Sequence, residues 1–243
     1  MGKTDLASNY EILDNFTEAD HYIENKIEKN KIIKYYTPTD FLYYLYDKEN
    51  FFKSHFLGYQ DKELTENGLK TGIKYEIDPI ILGNIVHKYA EISPENIDNF
   101  IDSQFDIYDI NKDRARQLIK KHIESYEKLN RGEILSREEE FFYKFKTSIV
   151  RGKIDQLRKV NGEYQLIDIK TGKLNDQAKD LYKYQIHIYL AAIEKLRGIK
   201  ISSAFLLSTL DEKEYEIDIS REEVEKSLEK FSDFILDVES YKI

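Results

Sequence analysis

The sequence predicts an α/β fold in which a β-sheet is flanked by helices. Apolar residues recur at helical spacing as far as about residue 131, and then Phe141, Tyr143 and Phe145 alternate as they do in a strand. Asn161-Gly162 next separates two alternating runs. This dipeptide is the strongest short signal for a β-hairpin, because both central residues of a type I′ turn need a positive φ.

Local start and stop signals place the remaining elements. Thr37-Pro38 and Asp78-Pro79 combine a capping residue with a proline in the first helical turn, and Ser220-x-x-Glu223 has the spacing of a capping box. The predicted helices cover 38–52, 79–90, a segment beginning at 94, 111–129, 176–197 and a segment beginning at 221. The predicted strands cover 141–145, 151–160, 163–170, 201–210 and 214–219.

The predicted hairpin sets two aspartates against each other. A two-residue turn at Asn161-Gly162 places Asp155 opposite Asp168, with Lys170 on the same face. Like charges in directly opposed positions, at about 4.5–5.5 Å between Cβ atoms, destabilise a sheet. Two leucines share this face, so the carboxylates are partly buried and a divalent metal between them is one explanation. The alternative is a solvated face on which Lys170 neutralises one aspartate.

The hairpin belongs to an ordered set of motifs that resembles the RecB-like branch of the PD-(D/E)xK nuclease superfamily. The set runs from the opening helix at 36–52 through Gly83-x-x-x-His87, Gly152-x-x-Asp155 and Asp168-x-Lys170-Thr171-Gly172 to Gln185-x-x-x-Tyr189. It spans roughly residues 36–210. The resemblance implies a restriction-endonuclease-like core, in which a mixed central β-sheet is flanked by α-helices.

The resemblance also implies a metal site. His87, Asp155 and Asp168 would ligate Mg²⁺ or Mn²⁺, which are hard ions that favour oxygen, and the imidazole makes Mn²⁺ a credible choice. Ile169 is a further expected metal position, which for an isoleucine means its main-chain carbonyl oxygen. The metal would lower the pKa of a water that attacks phosphorus in line.

Three further residues are expected to act with the metal. Lys170 would orient the attacking water and stabilise charge on the phosphate, unless it only forms an ion pair with an aspartate. Gln185 and Tyr189 lie on one helical face and would contact a water on the metal or the DNA phosphate, unless Tyr189 is simply packed.

Other polar residues are expected to lie outside the site. Glu138, Glu139 and Glu140 could offer one more carboxylate, but a solvated acidic start to a strand is favoured. The remaining histidines are interpreted as incidental, namely His21, His55, His122 and His187.

Composition excludes several classes of protein. The chain has no cysteine, which rules out disulfides, cysteine-ligated zinc and the four-cysteine iron–sulfur cluster of some RecB-like relatives. Gly2-Lys3-Thr4 lacks the upstream glycine-rich loop of a phosphate-binding motif, so no nucleotide site is expected. No signal peptide is visible and the apolar runs are too short to cross a bilayer, so we expect a soluble, cytoplasmic protein without a membrane partner.

Charge is unevenly distributed along the chain. The net charge is −9, and the acidic excess lies in residues 1–30 and 211–243. The stretch 111–131 is locally basic. Because the overall field is weak, we expect this domain alone to have low affinity for DNA.

We therefore expect an acidic N-terminal segment or linker at 1–35 and a nuclease domain at 36–243. By analogy with AddA and RecB, the domain would be the exonuclease part of a helicase–nuclease in DNA repair and recombination. It would act on single strands or free ends, and its partner would be a helicase, either as a domain of the same protein or as a separate chain. The alternatives are a stand-alone phage-type exonuclease and a non-catalytic nuclease-like scaffold.

Overall fold

The computed structural model describes residues 35–57, 77–108 and 112–241, all of which belong to one compact unit, Tyr35–Ile243. The predicted acidic segment lies outside the described residues except for Tyr35. Within the described ranges the helices are α1 Pro38–Tyr46, α2 Lys48–Leu57, α3 Pro79–Ile92, α4 Ile97–Ile107, α5 Lys112–Leu129, α6 Asp176–Arg197 and α7 Arg221–Ser240. The strands are β1 Tyr35–Tyr36, β2 Glu133–Phe145, β3 Ser148–Val160, β4 Glu163–Lys170, β5 Ile201–Ser208 and β6 Lys213–Ile217.

The strands form one mixed sheet, as the resemblance implied. Its main path runs β1-β3-β4-β5-β6, and β2 pairs with the other edge of β3. β4 and β5 are parallel, as are β1 and β3, whereas β2–β3, β3–β4 and β5–β6 are antiparallel. The parallel β4–β5 connection is made by α6, the expected way to join parallel neighbours.

The hairpin has the predicted register, but its ladder ends just before the aspartates. Asn161 and Gly162 both have positive φ, at 52° and 89°, and pairing runs from Val160↔Glu163 to Gln156↔Ile167. On the same edge of β3, β1 pairs only as far as Val150. The edge of β3 between these two pairings is therefore open, and Asp155 lies in that opening.

Helices cover both faces of the sheet. Leu157 and Leu166 belong to a core with α1, α2, α6 and α7, while Ile167 and Ile169 belong to a second core with α3, α4 and α5. This division follows from the alternation of side chains along a strand. None of the helices in the described part of the chain is long and apolar enough to span a membrane.

Two predicted helix boundaries are wrong. The helix expected at 38–52 is two helices, because Asp47 leaves the helical conformation and its carboxylate accepts a hydrogen bond from the Asn50 amide, which caps α2. The helix expected from Ser93-Pro94 begins at Ile97 instead. Ser93 ends α3 in the left-handed conformation, and the Asn96 side chain caps α4.

The two terminal capping boxes have different outcomes. Thr37 and Asp40 form the reciprocal pair of hydrogen bonds at the start of α1. Ser220 precedes α7 as predicted, but its side chain makes no capping hydrogen bond.

Gly152 is required by a close approach of two aromatic rings to β3. A Cβ atom at this position would lie 2.4 Å from Cζ of Phe141 and 3.1 Å from Cε1 of Tyr189. Both rings are buried and pack edge-on, with their centroids 5.8 Å apart. The glycine therefore lets β2 and α6 meet over β3 beside the open edge.

We predict that Gly152→Ala destabilises the fold by roughly 1–3 kcal/mol, because the added methyl group must displace a packed ring. The measurement is chemical unfolding of wild type and variant. Gly172→Ala is the matched control, since a Cβ there meets nothing within 4 Å and Gly172 is not among the positive-φ glycines. Equal stability of the two variants would contradict the close-packing argument.

Candidate metal centre

Four elements place charged side chains around the open edge of β3. Asp155 comes from β3, Asp168 and Lys170 from the end of β4, and His87 from α3. The fifth residue is Glu138 of β2, which lies opposite Asp155 between the strand pairs Arg137↔Gln156 and Glu139↔Ile154. The structure thus brings together the aspartates, lysine and histidine that the motifs predict.

Asp155 fills the place of a missing ladder bond. Its Oδ2 accepts a hydrogen bond of 2.6 Å from the main-chain amide of Ile169. Its Oδ1 lies 3.4 Å from Nδ1 of His87. The amide bond holds the carboxylate in position and leaves the other oxygen directed toward the histidine.

Glu138 belongs to the site, so the expected solvated position is wrong for this residue. Its side chain is only 7% exposed, and its two oxygens lie 3.0 Å from Nδ1 of His87 and 2.7 Å from Nζ of Lys153. Its backbone has φ 47°, which a non-glycine residue in a strand seldom adopts and which costs about 1–3 kcal/mol. Glu139 instead pairs with Arg197, and Glu140 with Arg151.

His87, Glu138 and Asp155 each offer a ligand atom, and these atoms lie within 4.8 Å of one another. One nitrogen and two carboxylate oxygens are a donor set that suits a divalent metal. The neighbouring Asp168 is 1% exposed, and apart from its ion pair with Lys170 neither of its oxygens has a hydrogen-bond partner among the described residues. A buried carboxylate left in this way is costly, so the residues present fit a bound cation.

Lys170 is held in place from three sides. Its Nζ lies 2.7 Å from Oδ2 of Asp168, 3.3 Å from Oε1 of Gln185 and 4.3 Å from the centroid of the Tyr182 ring. Gln185 in turn donates a hydrogen bond of 2.6 Å from Nε2 to the hydroxyl of Tyr189.

Gln185 and Tyr189 therefore contact the lysine and each other in the structure. Both side chains are more than nine-tenths buried, at 8% and 5% exposure. Their helix face is the predicted one, and their observed partners are protein groups. This arrangement fixes the lysine ammonium, because the amide it touches is itself anchored.

The charges in the cluster shift one another's pKa values. Burial disfavours the imidazolium of His87, but the carboxylates of Asp155 and Glu138 outweigh it and raise the pKa of His87 to about 10. Burial and the Asp155 charge raise the pKa of Asp168 to about 6, against the lowering effect of Lys170. For Asp155, burial is outweighed by His87 and Lys170, which keep its pKa below the usual value.

A small cleft of about 150 Å³ opens onto these residues. His87, Ile169, Lys170 and Tyr182 line it, together with the turn 171–174 that follows β4. The side chain of Ile169 is buried in the second core while its amide binds Asp155. The cleft is the access to the cluster that the described residues provide.

The predicted basic stretch at 111–131 is largely neutralised. Arg116 and Lys120 pair with Asp98, Lys128 pairs with Glu212, and Arg131 pairs with Glu214. These ion pairs leave α5 with less free positive charge than the sequence indicates, in line with the weak field expected for this domain.

Sequence reasoning undervalued Glu138 and did not consider Tyr182. Tyr182 could have been found, because it lies three residues before Gln185 and thus on the same helix face. Glu138 carried no comparable signal. Its position opposite Asp155 depends on the register of β2, which turns into β3 at Lys146-Thr147 without a dipeptide that dictates a turn type.

The other buried histidines have structural partners. His122 shares a hydrogen bond of 2.7 Å with Thr209, and burial lowers its pKa to about 4. His187 contacts Ser227 and the carbonyl oxygen of Asp218, and burial lowers its pKa too. Both are neutral contacts between elements and lie outside the cluster.

Comparison with known proteins finds distant relatives. An ATP-dependent helicase/nuclease of Clostridium kluyveri has a large subunit that is 25% identical over 165 residues, which are 66% of this chain but only 13% of that protein. The same protein from a second strain of this species matches equally. Among solved structures, a "Putative exonuclease" from Eubacterium rectale superposes with a TM-score of 0.51 at 14% identity, covering 94% of this chain and 82% of the other. That likeness shows the fold.

The family model of the PD-(D/E)XK nuclease superfamily matches residues 53–240. This interval is most of the chain and includes every residue of the cluster. The sheet with helices on both faces is the restriction-endonuclease-like arrangement of that family. The chain belongs to the PD-(D/E)XK nuclease superfamily, whose members hydrolyse nucleic acids with divalent metals.

Proposed function

We propose that this chain is a metal-dependent deoxyribonuclease domain that hydrolyses phosphodiester bonds in DNA as an exonuclease. The observation that carries the proposal is the meeting of Asp155, Asp168, Lys170 and His87 at the open edge of β3. Burying this many charges together is costly unless they have a ligand or a reaction to serve.

His87, Asp155 and Asp168 would hold Mg²⁺ or Mn²⁺, and Glu138 is the further carboxylate that the geometry supplies. The main-chain carbonyl of Ile169 remains a proposed ligand beside them. When bound, the metal supplies a lowered pKa for an attacking water and neutralises charge on the phosphate.

Lys170 would act as a fixed positive charge. Burial disfavours its ammonium, but Asp168 and Asp155 outweigh burial and raise the pKa of Lys170 above its usual value. The lysine is therefore protonated at neutral pH and cannot serve as a general base. It can donate hydrogen bonds to the phosphate oxygens as negative charge develops on them.

Gln185 and Tyr189 would serve as positioning residues. The Gln185 amide accepts from Lys170 and donates to Tyr189, so the ammonium has little freedom to turn away from the cleft. Preorganised donors of this kind cost no reorganisation when the reaction occurs.

The distant relatives suggest a setting for the domain. They are named as parts of a helicase/nuclease, and we propose that this domain likewise works beside a helicase, in DNA repair and recombination in the cytoplasm. A helicase would deliver single strands or free ends to the cleft. The second candidate, a stand-alone exonuclease, is favoured by the solved structure of similar extent whose name includes that activity.

We predict that the purified protein degrades linear DNA only with Mg²⁺ or Mn²⁺. End-labelled single-stranded, double-stranded and covalently closed circular DNA would be incubated with each metal or with EDTA. Ends and single strands should be preferred. Asp155→Asn and Asp168→Asn, which keep side-chain shape, should abolish cleavage. Activity in EDTA, or rapid cutting of closed circles, would contradict the proposal, and a fully inactive wild type would favour a binding scaffold.

We predict that metal affinity rises with pH between about 6 and 10. The raised pKa of His87 means that its imidazole is protonated below about 10 in the free site, and a protonated imidazole cannot be a ligand. One obligatory proton release gives up to about tenfold tighter binding per pH unit. Mn²⁺ binding measured by calorimetry would show this slope. His87→Ala should remove it, and a flat profile in wild type would exclude His87 as a ligand.

We predict that Lys170→Met lowers kcat by roughly 10²–10³, by analogy with the loss of one preorganised donor. Mn²⁺ affinity should be retained or increased, because a neighbouring positive charge is removed. Lys195→Met, an exposed lysine on α6, is the control. If Lys170→Met instead lowers Tm while turnover per folded molecule stays normal, the lysine is only an ion-pair partner of Asp168.

A further inference from the structure

An open groove lies next to the cleft, between the end of α1 and the first turns of α6. Its volume is about 500 Å³, and it is lined by Leu45 and Tyr46 of α1 and by the stretch of α6 that includes Tyr182 and Tyr184. We call it the tyrosine groove. Ligand-binding clefts commonly enclose about 300–1,000 Å³, so the groove has room for a nucleotide-sized group.

We propose that the tyrosine groove binds bases of a single DNA strand next to the phosphate in the cleft. The inference rests on the proposed function, and it names the residues that would recognise an unpaired strand.

The first support is the exposure of Tyr46. Its side chain is 49% exposed, although it ends an aromatic helix whose other rings, Phe41, Tyr43 and Tyr44, pack against neighbouring rings. Within the described ranges no ring stacks on Tyr46. A large ring left open at the wall of a groove is a surface on which a base can stack.

The second support is the position of Tyr182. This residue lines the tyrosine groove, and it also lines the cleft that contains Lys170. The ammonium of Lys170 lies 4.3 Å from its ring centroid. The two hollows therefore share a wall, and a strand with one phosphate at Lys170 would place its next nucleotide in the groove.

The third support is the charge of the groove. Its charged side chains are Asp180 and Lys183, and Nζ of Lys183 lies 3.6 Å from a carboxylate oxygen of Glu223. The groove thus has no surplus positive charge for a phosphate backbone. Its aromatic and amide groups suit bases, whose faces are free to stack only when the strand is unpaired.

Binding would be measured by fluorescence anisotropy with a labelled single strand and with a blunt duplex of equal length, in EDTA so that hydrolysis cannot occur. The variants are Tyr46→Ala, Tyr46→Phe and the control Tyr35→Ala. Tyr35 is a tyrosine of similar exposure, at 45%, that does not line the groove. A 2-aminopurine base in the strand would report stacking directly in wild type.

Tyr46→Ala should weaken single-strand binding roughly fivefold or more, the lower end expected for removal of one stacking ring. Duplex binding should stay unchanged, Tyr46→Phe should bind as wild type, and 2-aminopurine should be quenched in wild type and brighter with Tyr46→Ala. Normal single-strand binding by Tyr46→Ala, equal losses for strand and duplex, or the same loss in Tyr35→Ala would overturn the inference.

Failure of the groove and failure of the nuclease proposal are distinguishable, because binding in EDTA and cleavage with Mn²⁺ are separate measurements. Cleavage by wild type together with unaltered binding by Tyr46→Ala removes the groove alone. Strand binding that depends on Tyr46, without any cleavage by wild type, supports the groove and removes the nuclease proposal.

Discussion

The hydrogen bond from the Ile169 amide to the Asp155 carboxylate is the contact on which the rest of the site depends. At this point β3 and β4 stop pairing, and a side-chain oxygen replaces the carbonyl that would otherwise accept this bond. The bond satisfies a buried amide and fixes one carboxylate at the mouth of the opening. Because β4 continues past it, Asp168 and Lys170 reach the same opening from the neighbouring strand. The interruption of the sheet therefore creates both the space and the charges of the candidate centre.

The charges around this opening are balanced for a divalent cation. In the metal-free state His87 and Lys170 are protonated and face Asp155, Asp168 and Glu138. Protonated His87 is itself a cation between two carboxylates, which explains its raised pKa. Exchange of that proton for a divalent metal keeps the cluster compensated, whereas Lys170 remains fixed by Asp168 and Gln185. Binding of metal and loss of the His87 proton are in this way two aspects of one electrostatic requirement.

The aromatic core supports the site directly. Tyr189 packs over Gly152 against Phe141, and its hydroxyl accepts a hydrogen bond from the residue that contacts Lys170. Packing of α6 on the sheet thus determines where the ammonium lies. The same helix presents Tyr182 to the cleft and to the tyrosine groove. One helix face consequently connects the hydrophobic core, the lysine and the proposed path of the strand.

The sequence by itself determined the features that depend on local chemistry. Asn161-Gly162 permits only a tight turn, so the register of the hairpin and the proximity of Asp155 to Asp168 were predictable, as were helices with clear caps such as Asn175 and Gly198. Tertiary structure alone decided the rest. The Lys146-Thr147 turn carries no comparable signal, so the placement of Glu138 depends on strand pairing and on a left-handed backbone. The contacts of Gln185 and the break of the opening helix at Asp47 likewise depend on packing between distant segments, and spacing along the chain holds no information about such packing.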